Sequence, residues 1–475
     1  MDKYFVTTPI YYSNATPHIG HAYATTIADA LARFHRLKGM EVFFLTGTAD
    51  HGQKIERKAQ EQGISPQELT DENVQKFKDL YSKLEITNDF FIRNSDQENH
   101  WPGAQALWNK LVEAGDIYKD SYEGLYCVGC ETFKTEKDLD EDGLCSDHNT
   151  APEKVVEENY FFRLSKYTGK VREVIETDTI DIYPKSRKNE LLSFIDSGLE
   201  DISFSRPKEK VGWAIPVPDD PSHNMYVWCE ELSNYITAIG YGRDEKSFKK
   251  WWPADVHIVG KDILRFHAII WPAMLMSAGL PLPKAILSTG LIISGGKKMS
   301  KTLGNVISPF EMIERYGEEA TRYLLLRHVH PFEDTDVTWE RLDEWYTAGL
   351  VNGIGNLASR IMKLAEQYLD APVVRPEPTS FVQEYSDAFN NFEFNHAADY
   401  VWKKIQELDE RIAEEEPFKV VKEDAERGKE MITGLVEDLY IVGRLLKPFM
   451  THTSDVIKKA VLENKKPENL FPRLS

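Results

Sequence analysis

Three groups of side chains in this 475-residue sequence have the types and spacing for chemistry. The first is Cys127-Val128-Gly129-Cys130, followed after fourteen residues by Cys145-Ser146-Asp147-His148. Two such knuckles bring four soft ligands around one centre, which is what tetrahedral zinc(II) takes. All four positions would be filled by protein, so the metal is read as structural, contributing folding energy to its own segment. Cys229 lies elsewhere in sequence and reads as a buried or pocket thiol. The second group is His18-Ile19-Gly20-His21, at the start of a helical pattern that runs to Gly39. A helix N-terminus offers unpaired N–H groups to an anion. Gly20 permits close approach, and imidazoles three apart share one face. Taken alone, the motif fits an ordinary helix start with surface histidines equally well. The third is Gly295-Gly296-Lys297-Lys298-Met299-Ser300-Lys301-Thr302, which places three lysines within five positions. Glycines would make this loop mobile, and its lysines carry charge that can follow a phosphate as it reorganises.

These groups need elements to hold them. A short apolar run, Tyr4 to Pro9, precedes the His18 helix, and Glu41 to Gly47 reads as a second strand ending at Asp50-His51-Gly52. A helix follows from Gln53 to Gln62. Strand, loop, helix, repeated, is the opening of a parallel α/β sheet, in which ligands bind beyond the carboxyl ends of the strands. Met225-Tyr226-Val227-Trp228, Val256 to Gly260 and Ala285 to Thr289 read as further strands of it. Residues 116–215 interrupt the pattern and read as an inserted domain carrying the zinc knuckle. From Arg341 the sequence becomes helical, with apolar positions repeating at three and four; its last 20 residues are polar and expected to be peripheral. The division expected is 1–115 and 216–265 for a Rossmann-like catalytic domain, 116–215 for the insertion, 266–339 for the end of the core with the lysine loop, and 340–475 for an all-helical domain.

Composition bounds the function. The chain has 77 acidic and 57 basic side chains, a formal net charge of −20, so a polyanionic partner would have to be met by a local basic face. No apolar stretch has the length of a membrane span. No secretory signal opens the chain, and three of its four cysteines fall close together. A reducing, cytoplasmic setting is expected from this, with no membrane partner.

The pair His18-Ile19-Gly20-His21 and Lys298-Met299-Ser300-Lys301-Thr302 resembles the two signatures of class I aminoacyl-tRNA synthetases. Further stretches narrow the resemblance to the methionyl family over nearly the whole chain. They are Val6 to Tyr12, Thr46-Gly47-Thr48, Gly212 to Pro218, Tyr226-Val227-Trp228, Gly260-Lys261-Asp262 and Phe266-His267. The resemblance implies ATP with Mg2+ as co-substrate, L-methionine and a methionine tRNA as partners, and a structural zinc held by Cys127, Cys130, Cys145 and His148. It implies that His18, Gly20 and His21 contact the ATP phosphates, that Lys298 and Lys301 stabilise the leaving pyrophosphate, and that Gly260 and Asp262 hold the ribose side of the nucleotide. Pro9, Ile10, Tyr12, Trp228, Leu232, Tyr235 and His267 would line the methionine pocket, with Tyr12 and His267 directing weak hydrogen bonds toward sulfur. Asn356 and Arg360, four apart on one helical face, and Phe418 after Pro417 would read the anticodon. Many relatives carry a C-terminal extension for tRNA binding and dimer formation; none is evident after the helical domain, so a monomer is expected.

Two departures stand out. The family usually reads Thr-Asp-Glu-His-Gly where this sequence has Thr48-Ala49-Asp50-His51-Gly52, and the first acidic residue there anchors the methionine ammonium. Alanine cannot do so, which leaves Asp50 or the Ile10 carbonyl as the candidates. Cys229-Glu230-Glu231-Leu232 likewise stands where the family has Phe-Asp-Ala-Leu. The competing readings are a class I synthetase for another amino acid, a non-catalytic tRNA-binding relative, and an unrelated nucleotidyl transferase. Intact histidines and lysines weigh against the second, and the zinc and anticodon-like features against the third.

Overall fold

Six strands form one all-parallel sheet in the order Phe90–Arg93, Glu41–Ala49, Lys3–Tyr12, Val256–Gly260, Ala285–Thr289, Asp181–Tyr183. From the central pair Lys3–Tyr12 and Val256–Gly260 the next strands in sequence, Glu41–Ala49 and Ala285–Thr289, lie on opposite sides, so the sheet has its switch point there, where open α/β sheets bind ligands. Both strands are buried along most of their length, which explains why they read as near-continuous apolar runs rather than as alternating ones. The computed structural model describes residues 2–134, 139–145, 149–299, 304–376 and 381–474. His148, Lys301 and Thr302 lie outside the described residues.

The chain divides into two compact units. The first comprises residues 1–17, 40–79 and 87–289 and contains the parallel sheet. It also holds a four-stranded antiparallel sheet built on the long pair Ile117–Cys127 and Glu153–Phe162, flanked by Thr132–Lys134 and Ile202–Ser203. A buried ion pair stiffens this sheet: Arg206 donates to both oxygens of Glu157 at 2.6 Å. The strand Asp181–Tyr183 comes from within the 116–215 stretch yet extends the parallel sheet beside Ala285–Thr289.

The second unit comprises residues 18–39, 80–86 and 290–475. It contains the long helix Ile19–Leu37 and the C-terminal helices. Phe34 of that helix stacks on Phe389, with ring centroids 4.3 Å apart, so the first helix shares an aromatic core with residues far along the chain. The helical region expected from Arg341 opens with Trp339–Tyr346, a wider-wound stretch Thr347–Gly355, and Asn356–Tyr368. The widening falls on a run with three glycines, where the regular ladder is least favoured. The end of the chain is less peripheral than its composition implies: helix Thr451–Glu463 buries Ile457, Ala460 and Val461. Among the described residues no helix is long and apolar enough to cross a membrane.

Two local readings change. Tyr226-Val227-Trp228 is not a strand of the main sheet. The strand Asp220–Met225 pairs antiparallel in a separate three-stranded sheet, and Val227 opens the helix Val227–Thr237, every residue of which is buried. A fully buried helix carries no amphipathic period, so its sequence could not be told from a buried strand. Gly295 and Gly296 form the tight turn of a hairpin, at φ +62° and +71°, joining Ile292–Ser294 to Lys297–Lys298. Both positions need the left-handed region, so these glycines fix a turn geometry rather than loosen the loop.

Candidate active site

In the first unit the carboxyl ends of four parallel strands deliver Tyr12, Ala49, Arg93 and Gly260, and the chain then continues into Ser13, Asp50-His51, Asn94 and Lys261-Asp262. Tyr12 and Ala49 are register partners. Asp50 is fully buried, and its carboxylate is taken up by the protein: Ser13 Oγ donates to one oxygen at 2.8 Å, Arg93 Nε and Ser95 Oγ to the other at 2.6 Å each. Its carbonyl accepts the Trp213 indole N–H at 2.6 Å. The geometry makes Asp50 the rivet of the loop, directed into the protein.

The buried helix Val227–Thr237 places Trp228, Leu232 and Tyr235 in this unit. The Trp228 ring stacks on Phe266 at 3.7 Å, and the Tyr235 hydroxyl lies 2.7 Å from His267 Nε2. His267 Nδ1 lies 2.9 Å from the Ile263 carbonyl, which can only accept. Nδ1 therefore carries the proton, and Nε2 accepts from Tyr235. Both ring nitrogens are used, so His267 has no donor for a substrate sulfur in this arrangement; it orients Tyr235 instead. Pro9 and Ile10 lie in the strand beside Tyr12, with Ile10 buried. Asp262 is exposed and folds back over Gly260: a Cβ at 260 would sit 2.5 Å from its Oδ1, so only glycine leaves that carboxylate in place.

A network that no sequence motif announced joins these loops. Glu230 receives His51 Nδ1 at 2.9 Å and Asn94 Nδ2 at 2.8 Å on one oxygen, and His100 Nε2 at 3.0 Å on the other. Burial raises the Glu230 pKa to about 7, against the pull of His100 and Asn94, and burial lowers that of His51 to about 4. The sequence marks Asp50-His51-Gly52 and, as a departure from the family pattern, Glu230; Asn94 and His100 sit in unremarkable sequence.

Burial also lowers His267 to about 4, so it is neutral in the fold and titrates near 6.5 once unfolded. A depressed folded pKa of a base means the unfolded chain binds more protons between pH 6.5 and 4. Its contribution is complete above 6.5 and lost as pH falls toward 4. Glu230 acts in the opposite sense, losing stability as pH rises from 4.5 to about 7, and offsets much of the His51 contribution. His267 is thus expected to lower unfolding free energy by about 2 kcal/mol between pH 6.5 and 5. Urea unfolding of wild type and a His267→Gln variant at both pH values checks this; equal pH dependence in the two proteins would contradict it.

The zinc knuckle is also in this unit. The sulfur atoms of Cys127, Cys130 and Cys145 lie within 4.8 Å of one another, and Cys127 and Cys145 are buried. Cys130 and Cys145 Sγ are 3.5 Å apart. Four ligands at zinc–sulfur bond lengths would sit about 3.8 Å apart, so three soft donors already converge as such an ion needs; the fourth candidate, His148, is outside the described residues. Chelating the metal is expected to speed amide exchange in 117–162 by about tenfold or more while the parallel sheet stays protected. Exchange read by mass spectrometry decides it, and uniform protection throughout would count against a structural metal.

In the second unit, His18 is the N-cap of helix Ile19–Leu37. Gly20 N–H donates to His18 Nδ1 at 3.1 Å, and His18 N–H donates to His21 Nδ1 at 3.1 Å. The two imidazoles stack with centroids 3.7 Å apart. Each Nδ1 is an acceptor, so each neutral ring carries its proton on Nε2. Burial and the neighbouring His18 push the His21 pKa down, which keeps it in that form. A Cβ at position 20 would come within 3.0 Å of the His18 ring, so glycine is required for the cap itself. Each ring thereby carries an N–H donor at a helix start, a place that suits an anion. Lys298 is exposed, on the hairpin of the same unit. Asn356 is exposed and Arg360 half-exposed on helix Asn356–Tyr368, where Arg360 pairs with Asp409; Phe418 is half-buried.

Comparison with known proteins adds three findings. The family model described as tRNA synthetases class I (M) matches residues 4–147 and 134–362. A methionine–tRNA ligase of Caldanaerobacter subterraneus subsp. tengcongensis is 45% identical over 467 residues, covering 95% of this chain and 72% of its own. That of Thermotoga maritima is 41% identical, covering 98% and 76%. Among solved structures, the methionyl-tRNA synthetase of Mycobacterium tuberculosis in complex with methionyl-adenylate matches with a TM-score of 0.90 at 34% identity, over 100% of this chain and 99% of that one.

Proposed function

Because the chain belongs to the methionyl family of class I tRNA synthetases, we infer that it joins L-methionine to its tRNA by way of a methionyl-adenylate made from ATP. The observation that carries the reading is full-length likeness, at 34% identity and a TM-score of 0.90, to a protein solved with that intermediate.

The reaction asks little covalent chemistry of the protein. The methionine carboxylate attacks the α-phosphorus of ATP, the bond to the β-phosphate oxygen breaks, and pyrophosphate leaves. The terminal ribose hydroxyl of the tRNA then attacks the adenylate carbonyl and AMP leaves. Catalysis is positioning and electrostatic stabilisation of charge on phosphate oxygens. His18 and His21 are assigned to those oxygens, since their capping bonds leave the proton on Nε2. Lys298 and Lys301 are assigned to the leaving pyrophosphate, Gly260 and Asp262 to the nucleotide's ribose. Tyr12, Trp228, Leu232 and Tyr235 with Pro9, Ile10 and His267 form the methionine pocket in this reading. The zinc, when bound at Cys127, Cys130, Cys145 and His148, supplies folding energy to the insertion. Asn356, Arg360 and Phe418 are assigned to the anticodon, and the region from 340 onward to its recognition. Residues 1–115 and 216–265 are assigned to the catalytic domain, 116–215 to the insertion, and 266–339 to the end of the core with the lysine loop.

Methionine-dependent exchange of pyrophosphate into ATP, with cysteine and isoleucine as competitors, tests the first step. Charging of a methionine tRNA tests the second. Exchange driven by another amino acid, or by none, would overturn the reading.

A further inference from the structure

Glu231 is a buried carboxylate without a cation. It lies in the helix Val227–Thr237 and is 4% exposed. Its Oε1 makes no hydrogen bond of ordinary geometry, and neither do the Tyr12 hydroxyl and the Trp228 Nε1, all three being buried. Among the described residues no lysine, arginine or histidine pairs with it. Lys54, whose ammonium lies 5.6 Å from the centre of the Tyr12 ring, donates to the Gly129 carbonyl instead. The charged neighbours that Glu231 does feel are acidic: Glu230, Glu131 and Asp50. Glu230, Glu131 and Asp50 all have donors of their own, His51, Asn94 and His100 for the first, Lys54 N–H and Tyr126 for the second, Ser13, Arg93 and Ser95 for the third. Of these four carboxylates, Glu231 alone has, among the described residues, an oxygen with no donor.

Removing an unpaired carboxylate from water is costly, and a protein keeps one where a partner arrives. Burial first, and then its acidic neighbours, push the Glu231 pKa up, which disfavours its charged form while no positive charge is beside it. L-methionine brings one such charge, its α-ammonium, which must itself be paired on leaving water. The position reached by Glu231 is the right one for it. Trp228 and Tyr235, one turn to either side on the same helix, are assigned to the methionine pocket, and Tyr12, at the end of the strand pair, is near enough to feel the Glu231 charge. The register partner of Tyr12 is Ala49, which offers no charge. Asp50, next in sequence, is turned away and fully engaged.

We propose that Glu231 is the carboxylate that binds the α-ammonium of methionine, so that in this chain the anchor comes from the buried helix rather than from the strand end at Ala49. The assignment rests on the methionine-ligase reading above. It also explains why two departures from the family pattern occur together: an acidic residue is missing at 49, and one is gained at 231, where the family has alanine.

The test compares Glu231→Gln with wild type, using ATP–pyrophosphate exchange to obtain KM for methionine and KM for ATP. Equilibrium binding of methionine and of 4-(methylthio)butanoate, the same chain without the amino group, completes it. Glutamine keeps the volume and removes the charge. The expected result is a methionine KM and Kd raised about 10- to 100-fold, with ATP KM within about twofold and the deaminated ligand bound equally by both proteins. Methionine affinity within twofold of wild type in the variant would overturn the assignment. So would an equal loss for the deaminated ligand, since that is the signature of a packing role. A wild-type chain that makes no methionyl-adenylate overturns the reading of function instead, and the two failures are thereby told apart.

Discussion

Replacing His21 with alanine is expected to slow methionyl-adenylate formation by about two to three orders of magnitude, the usual cost of deleting one oriented donor to a developing charge. The side chain has two jobs that can be separated. Its Nδ1 accepts from His18 N–H and so helps close the helix start. Its Nε2–H is the donor assigned to phosphate. Losing the first costs about 1 kcal/mol of helix stability, too little to unfold the chain. Losing the second falls on the transition state, so kcat for exchange should drop while the KM for methionine stays within about threefold. The His18 cap on Gly20 N–H survives the substitution, so His18→Ala should cost more in thermal stability than His21→Ala. A His21→Ala protein retaining more than about a tenth of wild-type exchange would remove this residue from the phosphate site.

The contrast between those histidines and Glu231 shows what a sequence can and cannot disclose. The His18-Ile19-Gly20-His21 run is local, and so is its geometry: cap, stack and tautomer are all set within four residues. The zinc cysteines are similar, since their spacing alone makes the sulfurs converge. Helix Gln53–Gln62, ended by Gly63 in the left-handed region, follows from the same kind of short-range signal. What was not legible depends on partners far apart in the chain. Asp50 looked like a substitute anchor because it adjoins Ala49; Arg93 and Ser95, more than forty positions on, turn it inward. His267 looked like a donor to sulfur, and Tyr235 and Ile263 occupy both its nitrogens. Met225 to Trp228 reads as a strand, although Val227 and Trp228 open a helix, because a segment buried on every side has no period to read. Lys301 and His148, which stand out by motif, lie outside the described residues.

Asp29→Ala is expected to destabilise the second unit by about 3–5 kcal/mol, the cost of stripping one partner from a buried ion pair. Asp29 is fully buried in the middle of helix Ile19–Leu37, and Arg322 is 1% exposed. Arg322 Nη2 lies 2.7 Å from Asp29 Oδ2, while Arg33 Nε reaches the same oxygen at 2.6 Å. The remaining guanidinium donors go to backbone carbonyls, Phe449 at 3.0 Å and Leu84 and Pro448 at 3.1 Å. One side chain thus ties the histidine-bearing helix to residues 80–86 and to the turn before helix Thr451–Glu463. Alanine at 29 leaves a buried guanidinium with backbone dipoles and only the carboxylate of Glu319, which is not bonded to it, as counter-charge. Burial already pulls the Arg322 pKa down even with Asp29 present, so the balance is held by that carboxylate. The loss should be read as a lower urea midpoint at unchanged m. The double variant Asp29→Leu with Arg322→Met should recover part of it, because the buried guanidinium of Arg322 is then gone, while Arg33 still loses its partner. Below the transition the folded Asp29→Ala protein should keep near-normal exchange, since the His18 and His21 bonds are local to the helix start. A change of under about 1 kcal/mol would place this pair among those whose desolvation cancels their attraction, and would mean that aromatic packing such as Phe34 on Phe389 fastens the helix instead.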